Sequence, residues 1–177
     1  HFPKALEPEL IAYRACSVAA SDIPACGGTL KWLSVTLVTP TTDPDWIKKF
    51  AKGLKLFTKN YKIPVIGGDL IKGGECSVSV GVCGEVDKKD FLSRGGAQED
   101  DLIFISGTLG EARLGLKVLN SKKKNISQEE KKYLKRFLKP KVHTSLGKNL
   151  QNIATSCIDI SDGLLSDLGH ICNQSNK

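Results

Sequence analysis

Three aspartates lie close together within residues 158–170, where an apolar run is broken by Asp162-Gly163 and followed by a helical pattern. Asp159 and Asp162 flank this break, three positions apart. Neighbouring carboxylates repel each other, which favours the neutral form of one of them unless a cation is present. A hard divalent cation that takes oxygen ligands removes the conflict. The junction therefore predicts a magnesium site.

Asp162 and Asp167 also have simpler interpretations. Asp162 could act only as the N-cap of the following helix, since aspartate is favoured there. Asp159 favours a binding role because it lies at the predicted strand end, where open α/β sheets place their ligands. Asp167 follows Asp162 by five positions and so lies off its helical face, which predicts a solvated helix residue.

Two other segments place a carboxylate after small or apolar residues. Gly67-Gly68-Asp69 follows the apolar run 63–66, and Asp22 ends a segment rich in small residues. Glycines at such a turn allow backbone N–H groups to approach a phosphate closely. A purely structural turn and an exposed helix position are the alternatives for Asp69 and Asp22. Three acidic sites in one chain favour convergence on a shared metal cluster.

The composition indicates a folded protein with an apolar core, because 40% of the 177 residues are hydrophobic. No apolar run has the length of a bilayer-spanning helix, and the first residues lack the order of a signal peptide. Six cysteines occur without a Cys-x-x-Cys pair, which predicts reduced thiols in the core rather than disulfides or a zinc site. These features predict a cytoplasmic protein without a membrane partner.

The net charge of +7 raises the possibility of nucleic-acid binding. The basic residues between positions 122 and 136 flank or lie on a predicted amphipathic helix, where charges usually form a solvated face. Aromatic residues make up only 6% of the chain and provide no stacking platform. We expect no nucleic-acid partner, and an anionic small substrate fits the charge equally well.

Hydrophobic periodicity predicts helices alternating with strands, which indicates an α/β architecture. The charged, glycine-bearing stretch 87–101 predicts a domain boundary near Arg94, dividing the chain into 1–93 and 94–177. The predicted strands are 30–39, 63–66, 76–86 and 102–106. The predicted helices are 7–23, 42–61 and 111–119, followed by one that begins at the capping box of Ser127 and ends at Pro140. A short helix and a final helix complete the chain. The residues of the final helix predicted to face inward are Leu164, Leu165, Leu168, Ile171 and Cys172.

Taken in order, these pieces resemble the thiamine-monophosphate kinase family of the aminoimidazole ribonucleotide synthase-like superfamily. The resemblance covers nearly the whole chain. It rests on His1-Phe2, Ser21-Asp22, Gly67-Gly68-Asp69, Arg94-Gly95-Gly96-Ala97, Ser106-Gly107-Thr108-Leu109-Gly110, and residues 158–163 and 167–170.

The resemblance implies an N-terminal α+β domain that pairs with its twin in a homodimer, followed by a partial α/β domain. ATP would donate a phosphoryl group in line to thiamine monophosphate, with Mg²⁺ as cofactor. By similarity, the magnesium ligands would be Asp22, Asp69, Asp159 and Asp162. The residues around ATP would include Gly68, Asp69, Arg94 and Ser161. His1 would contact the thiamine substrate. No general base is expected, because a phosphate acceptor with a second pKa near ~6 is already largely ionised.

The sequence departs from the family pattern at Ala20 and at Leu70-Ile71-Lys72, where lysine cannot reproduce an arginine fork. The family's N-terminal acidic segments would precede His1 and its C-terminal region would follow Lys177, so the resemblance implies an internal part of a longer family member. Two alternatives remain open. One is a related ATP-using enzyme of the superfamily with another acceptor, and the other is an inactive remnant that acts only as a dimerisation module.

Overall fold

A computed structural model describes residues 2–3, 6–121, 123 and 125–177. Helices and strands alternate along these ranges, and the predicted mixed α/β fold is confirmed. The strands are β1 (Thr29–Thr39), β2 (Val65–Lys72) and β3 (Ser77–Glu85). The helices are α1 (Pro8–Ala19), α2 (Asp22–Ala25), α3 (Pro44–Tyr61), α4 (Glu111–Asn120), α5 (Gln128–Leu138), α6 (Thr144–Leu150) and α7 (Leu164–Gln174), with a short 3-10 turn at Lys88–Asp90.

The chain forms two compact units that interleave along the sequence. The first comprises residues 1–19, 31–83 and 110–141, and the second comprises 20–30, 84–109 and 142–177. The predicted division of the chain near Arg94 stays a prediction.

The first unit contains a three-stranded sheet in the order β2-β1-β3. Strands β1 and β2 run parallel, with partners from Leu33↔Val65 to Thr39↔Lys72. Alternate residues of β1 are buried, including Leu33, Val35 and Leu37, as the period-two pattern predicts. The predicted strand at 63–66 is longer than expected, because Gly67, Gly68 and Asp69 lie inside β2 instead of forming a turn after it.

Helix α3 begins at Pro44, two residues after the predicted start at position 42. The Asp43 carboxylate accepts a hydrogen bond of 3.0 Å from the backbone N–H of Asp45, and Pro44 is the first helical residue. Phe57 is fully buried and packs edge-on against Tyr13 of α1, with 5.6 Å between ring centroids. The apolar stripe of α3 thus joins the core beside α1.

Helices α4 and α5 complete the first unit. The predicted capping box opens α5: Ser127 Oγ accepts from Glu130 N–H, and the Glu130 carboxylate accepts from Ser127 N–H. The guanidinium of Arg14 on α1 lies 3.9 Å from the ring centroid of Phe137 and also donates to the Phe137 carbonyl. This contact fastens α5 to α1.

The second unit is built from α2, α6, α7 and irregular segments. The predicted helix 7–23 is interrupted, since α1 ends at Ala19 and α2 begins at Asp22. The predicted strand 102–106 is absent, and Leu102 and Phe104 are 80% and 85% exposed. The strand that was predicted to end at Asp159 is absent as well, because this segment has no strand partner. On α7, Leu165 is exposed and Asp167 is buried, so the predicted positions of both side chains were wrong.

In the described part of the chain, no helix is long and apolar enough to cross a membrane. All six cysteines have free thiols, in agreement with the prediction, but only Cys16 is buried.

Candidate functional site

A half-open cavity of about 310 Å³ lies within the second unit. Two carboxylates and a guanidinium share its wall with apolar side chains and two thiols. The lining residues are Asp22, Ala25, Cys26, Phe91, Leu92, Ser93, Arg94, Cys157, Ile158, Asp159 and Gln174. The combination of charged and apolar walls suits a ligand with a charged end and an apolar end.

Two distant parts of the chain supply the acidic wall. Asp22 is the first residue of α2, and Asp159 lies in the extended segment between α6 and α7. Ser21, the residue before Asp22, donates a hydrogen bond of 2.5 Å from Oγ to Asp159 Oδ2. The start of α2 and the Asp159 segment are therefore joined through side chains at the acidic wall.

The two carboxylates interact strongly. Burial raises the pKa of Asp22, and the charge of Asp159 and a side-chain hydrogen bond with it raise that pKa further, while Arg94 acts in the opposite direction. Ionisation of Asp22 is thus less favourable than that of an ordinary aspartate when no other cation neutralises the pair. Two oxygen donors in need of positive charge are the ligand type that Mg²⁺ prefers.

Backbone hydrogen bonds place Arg94 beside these carboxylates. Leu92 N–H donates to the Cys26 carbonyl at 3.1 Å, and Cys157 N–H donates to the Ser93 carbonyl at 3.0 Å. Residues 92–93 therefore lie between the segment after α2 and the segment that carries Asp159. This pairing brings the next residue, Arg94, to the cavity wall.

Ser161 and Asp162 lie outside the cavity lining, on the loop before α7, and both are exposed. Asp162 does not cap the helix: the N-cap is Gly163, without a side-chain capping bond. The Asp162 N–H instead donates to Asp167 Oδ2 at 3.2 Å. The structure thus gives Asp162 no capping role.

Gly68 and Asp69 belong to the first unit. Gly68 has φ +144°, and a Cβ there would lie 1.8 Å from the Val35 carbonyl oxygen, so glycine is required by the close approach of β1 and β2. Asp69 is exposed and accepts a hydrogen bond of 2.8 Å from the N–H of Leu70. The sequence motif therefore has a structural reason in addition to its predicted binding role.

The structure brings two of the four predicted magnesium ligands, Asp22 and Asp159, to the wall of one cavity. Over residues 2–3, 6–121, 123 and 125–177, no group of three or more His, Cys, Asp or Glu side chains is arranged to hold a metal ion. The full set of four ligands stays a prediction. The predicted substrate residue His1 lies outside the described residues.

Sequence reasoning missed several residues of the site. Ser21 was signalled only by its position beside Asp22, and nothing in the sequence singled out Phe91. Cys26 and Cys157 were expected in the core, yet they line the cavity. Burial raises the pKa of both thiols, which keeps them protonated and unreactive at neutral pH.

The chain is similar to known proteins along nearly its whole length. Residues 1–86 match the family described as AIR synthase related protein, N-terminal domain. Over 99% of its length the chain is similar to two bacterial thiamine-monophosphate kinases. It is 40% identical to that of Buchnera aphidicola subsp. Schizaphis graminum and 38% identical to that of Haemophilus influenzae, covering 54% and 53% of their lengths.

The chain is thus similar to part of a thiamine-monophosphate kinase. The solved structure of AaThiL complexed with AMPPCP and TMP has a TM-score of 0.93 and 34% identity, over 99% of this chain and 57% of that one. The family resemblance predicted from the sequence is thereby confirmed. The chain spans about half the length of the curated relatives it matches.

Proposed function

We propose that this chain takes part in the ATP-dependent phosphorylation of thiamine monophosphate to thiamine diphosphate. The supporting observation is the acidic pair Asp22 and Asp159, with Arg94 beside it, in a chain that matches thiamine-monophosphate kinases over 99% of its length. A relative of known structure is described as complexed with AMPPCP and TMP, an ATP analogue and a second ligand. ATP is therefore the proposed donor.

The acidic pair fits a magnesium ion, because its two carboxylates repel each other in a partly buried cavity. Asp22 and Asp159 would hold the ion, and Asp69 and Asp162 remain proposed ligands by similarity alone. The ion, when bound, neutralises the charge that builds up between two phosphate groups. A phosphate acceptor needs no general base, so positioning and charge neutralisation are the tasks left to the protein.

Arg94 suits a role in holding phosphate oxygens. Its guanidinium offers several N–H donors in a planar fork that matches phosphate geometry. The backbone bonds of residues 92 and 93 direct it to the wall that carries both carboxylates. Ser161 and Gly68 remain proposed neighbours of ATP by similarity alone.

A homodimer is proposed for the first unit. The outer strand β2 leaves apolar side chains exposed, with Ile66 59% and Leu70 56% accessible. A second copy would cover this surface and remove it from water. A cytoplasmic location is proposed because all six cysteines are free thiols, as a reducing compartment requires.

The test incubates the 177-residue chain with ATP, Mg²⁺ and thiamine monophosphate and measures thiamine diphosphate by chromatography. We expect product, and a loss on the order of 10²-fold for Asp22→Asn and Asp159→Asn, the usual effect of removing one group that stabilises developing charge. Asp87→Asn is the matched control, since Asp87 is exposed and makes no capping bond.

Each other outcome has a defined meaning. ADP release without thiamine diphosphate would contradict the proposed acceptor and favour another substrate of the superfamily. Absence of both magnesium-dependent ATP binding and product would contradict the kinase proposal and favour an inactive dimerisation module.

A further inference from the structure

Helix α7 contacts two loops of the candidate site, one at each end. Asp167 lies in its first turn and Ser175 is its C-cap. The first residue bonds to the loop that carries Ser161 and Asp162, and the second bonds to the loop that begins at Arg94. Both loops and the helix belong to the second unit.

The Asp167 carboxylate holds the first loop through one oxygen. Oδ2 accepts hydrogen bonds from the backbone N–H groups of Ser161, Asp162 and Gly163 at 2.9, 3.2 and 3.1 Å. Asp167 itself is only 2% exposed. Charge-assisted bonds of this type are stronger than neutral ones, so a single buried side chain fixes three successive peptide groups.

This bonding determines what the first loop can offer a ligand. Successive backbone N–H groups that converge on one point form an anion-binding concavity. Here the Asp167 carboxylate already occupies that position, which leaves no room for a phosphate oxygen on the same N–H groups. The side chains of Ser161 and Asp162 are exposed and are the groups that remain available.

The Ser175 hydroxyl holds the second loop. Its Oγ accepts from Gly96 N–H at 3.2 Å and from Ala97 N–H at 3.1 Å, and it donates to the Arg94 carbonyl at 3.5 Å. The loop approaches the helix closely, since a Cβ on Gly95 would lie 2.8 Å from the Gln174 carbonyl oxygen. The backbone around Arg94 is thereby hydrogen-bonded to the C-terminal end of α7 and packed against it.

We infer that Asp167 and Ser175 are positioning residues that set the distance between the Arg94 loop and the Ser161–Asp162 loop. They are eight residues apart, or about 12 Å along a helix that rises 1.5 Å per residue. Helix α7 acts as a spacer between a phosphate-binding cation and a pair of oxygen donors. The consequence for nucleotide binding rests on the proposed function, whereas the bonds themselves do not.

The test compares the full chain with Asp167→Ala, Asp167→Asn and Ser175→Ala. Asp167→Asn keeps one oxygen acceptor but removes the charge, and it replaces Asp167→Ala in the comparison if the Ala variant does not fold. Ser175→Thr retains the hydroxyl and serves as a rescue variant. Ser166→Ala and Asp87→Asn are controls, because both positions are exposed. The readouts are amide hydrogen exchange by NMR, global stability in urea, and Mg-ATP affinity by calorimetry.

We expect amide exchange at 161–163 to rise by roughly 10- to 100-fold in Asp167→Ala, the effect of losing hydrogen bonds to a charged acceptor, and by less in Asp167→Asn. Ser175→Ala should accelerate exchange at 96–97 only, and Ser175→Thr should restore it. Mg-ATP affinity should fall about 10- to 100-fold in the Ala variants, as for other groups that orient ligands.

Two results would overturn the inference. One is unchanged amide exchange at both loops in the Ala variants. The other is faster amide exchange at the loops without any loss of Mg-ATP affinity. A wild-type chain that binds no Mg-ATP would contradict the proposed function instead, and loop exchange would then decide the positioning role alone.

Discussion

Ser21 Oγ donates a hydrogen bond to Asp159 Oδ2 across 138 positions of sequence. The bond joins the residue before α2 to the segment before α7 at the wall of the cavity. It also directs the Asp159 carboxylate toward Asp22, whose pKa responds to that carboxylate. A hydroxyl thus orients one acidic partner relative to the other.

Replacing Ser21 by alanine should destabilise the second unit. A hydrogen bond to a charged group contributes about 1.5 kcal/mol, so we expect a loss of this size in the free energy of unfolding. Urea denaturation measures it, with the exposed Ser166→Ala as control. Equal stability of the two variants would show that the Ser21 bond contributes nothing.

Asp159→Asn should lower the pKa of Asp22. Burial is the largest cause of the raised pKa and will persist, but the charge of Asp159 will be gone. The Asp22 carboxyl should therefore titrate at lower pH than in the wild type, yet still above an ordinary aspartate. Carbon-detected NMR of the carboxyl group measures this, and an unchanged titration curve would contradict it.

Phe57→Ala should destabilise the first unit by about 3–5 kcal/mol, because it leaves a large cavity in a fully buried position. Fluorescence of Trp32 and Trp46, both in that unit, follows its unfolding. The matched control is Phe104→Ala, whose side chain is 85% exposed and should change stability little. Similar losses for both variants would refute the assignment of Phe57 to the core.

Glu111 should give the first unit an acid-sensitive contribution to stability. Its hydrogen bond with Lys132, followed by the contribution of Arg136, lowers the pKa of this carboxyl below the ordinary value. A lowered folded-state pKa stabilises the fold above the unfolded-state pKa, and the contribution disappears as pH falls through the folded-state value. Glu111→Gln should therefore be less stable than wild type at pH 7, and the difference should shrink in acid.

Denaturation at a series of pH values measures the difference for Glu111→Gln. Glu99→Gln is the control, because the Glu99 side chain is 84% exposed. A difference between wild type and Glu111→Gln that stays constant from neutral to acid pH would contradict the prediction.

Ile66→Asp should convert the proposed homodimer to a monomer, because it places a charge on the exposed face of β2. Light scattering after size exclusion gives the mass. Leu102→Asp, at a more exposed apolar position in the second unit, should leave the dimer intact. A dimer that persists in Ile66→Asp would exclude β2 as the interface.

The elements that sequence predicts well are those with local causes. The capping box at Ser127 and Glu130 involves residues three positions apart, and the start of α3 near Pro44 depends on equally local contacts. The alternation of β1 follows directly from burial of one face. Such features need no knowledge of distant contacts.

The failures have distant or competing causes. Asp167 was expected to be exposed to solvent because its helical position is off the Asp162 face. Its side chain is instead buried, and it accepts hydrogen bonds from three backbone N–H groups of the preceding loop. Gly67-Gly68 suggested a turn, whereas Gly68 permits close contact with Val35 within a strand. Residues 102–106 have strand composition, but in the described chain they join no ladder. Sequence period alone does not supply a pairing partner.

The run Leu102-Ile103-Phe104-Ile105 exposes between 39% and 85% of each side chain. Consecutive apolar residues of high β-propensity, without charge or proline, are typical of segments that stack into intermolecular cross-β assemblies. At high concentration this run should therefore drive aggregation of the isolated chain. A single lysine in place of Phe104 would act as a gatekeeper and improve its solubility.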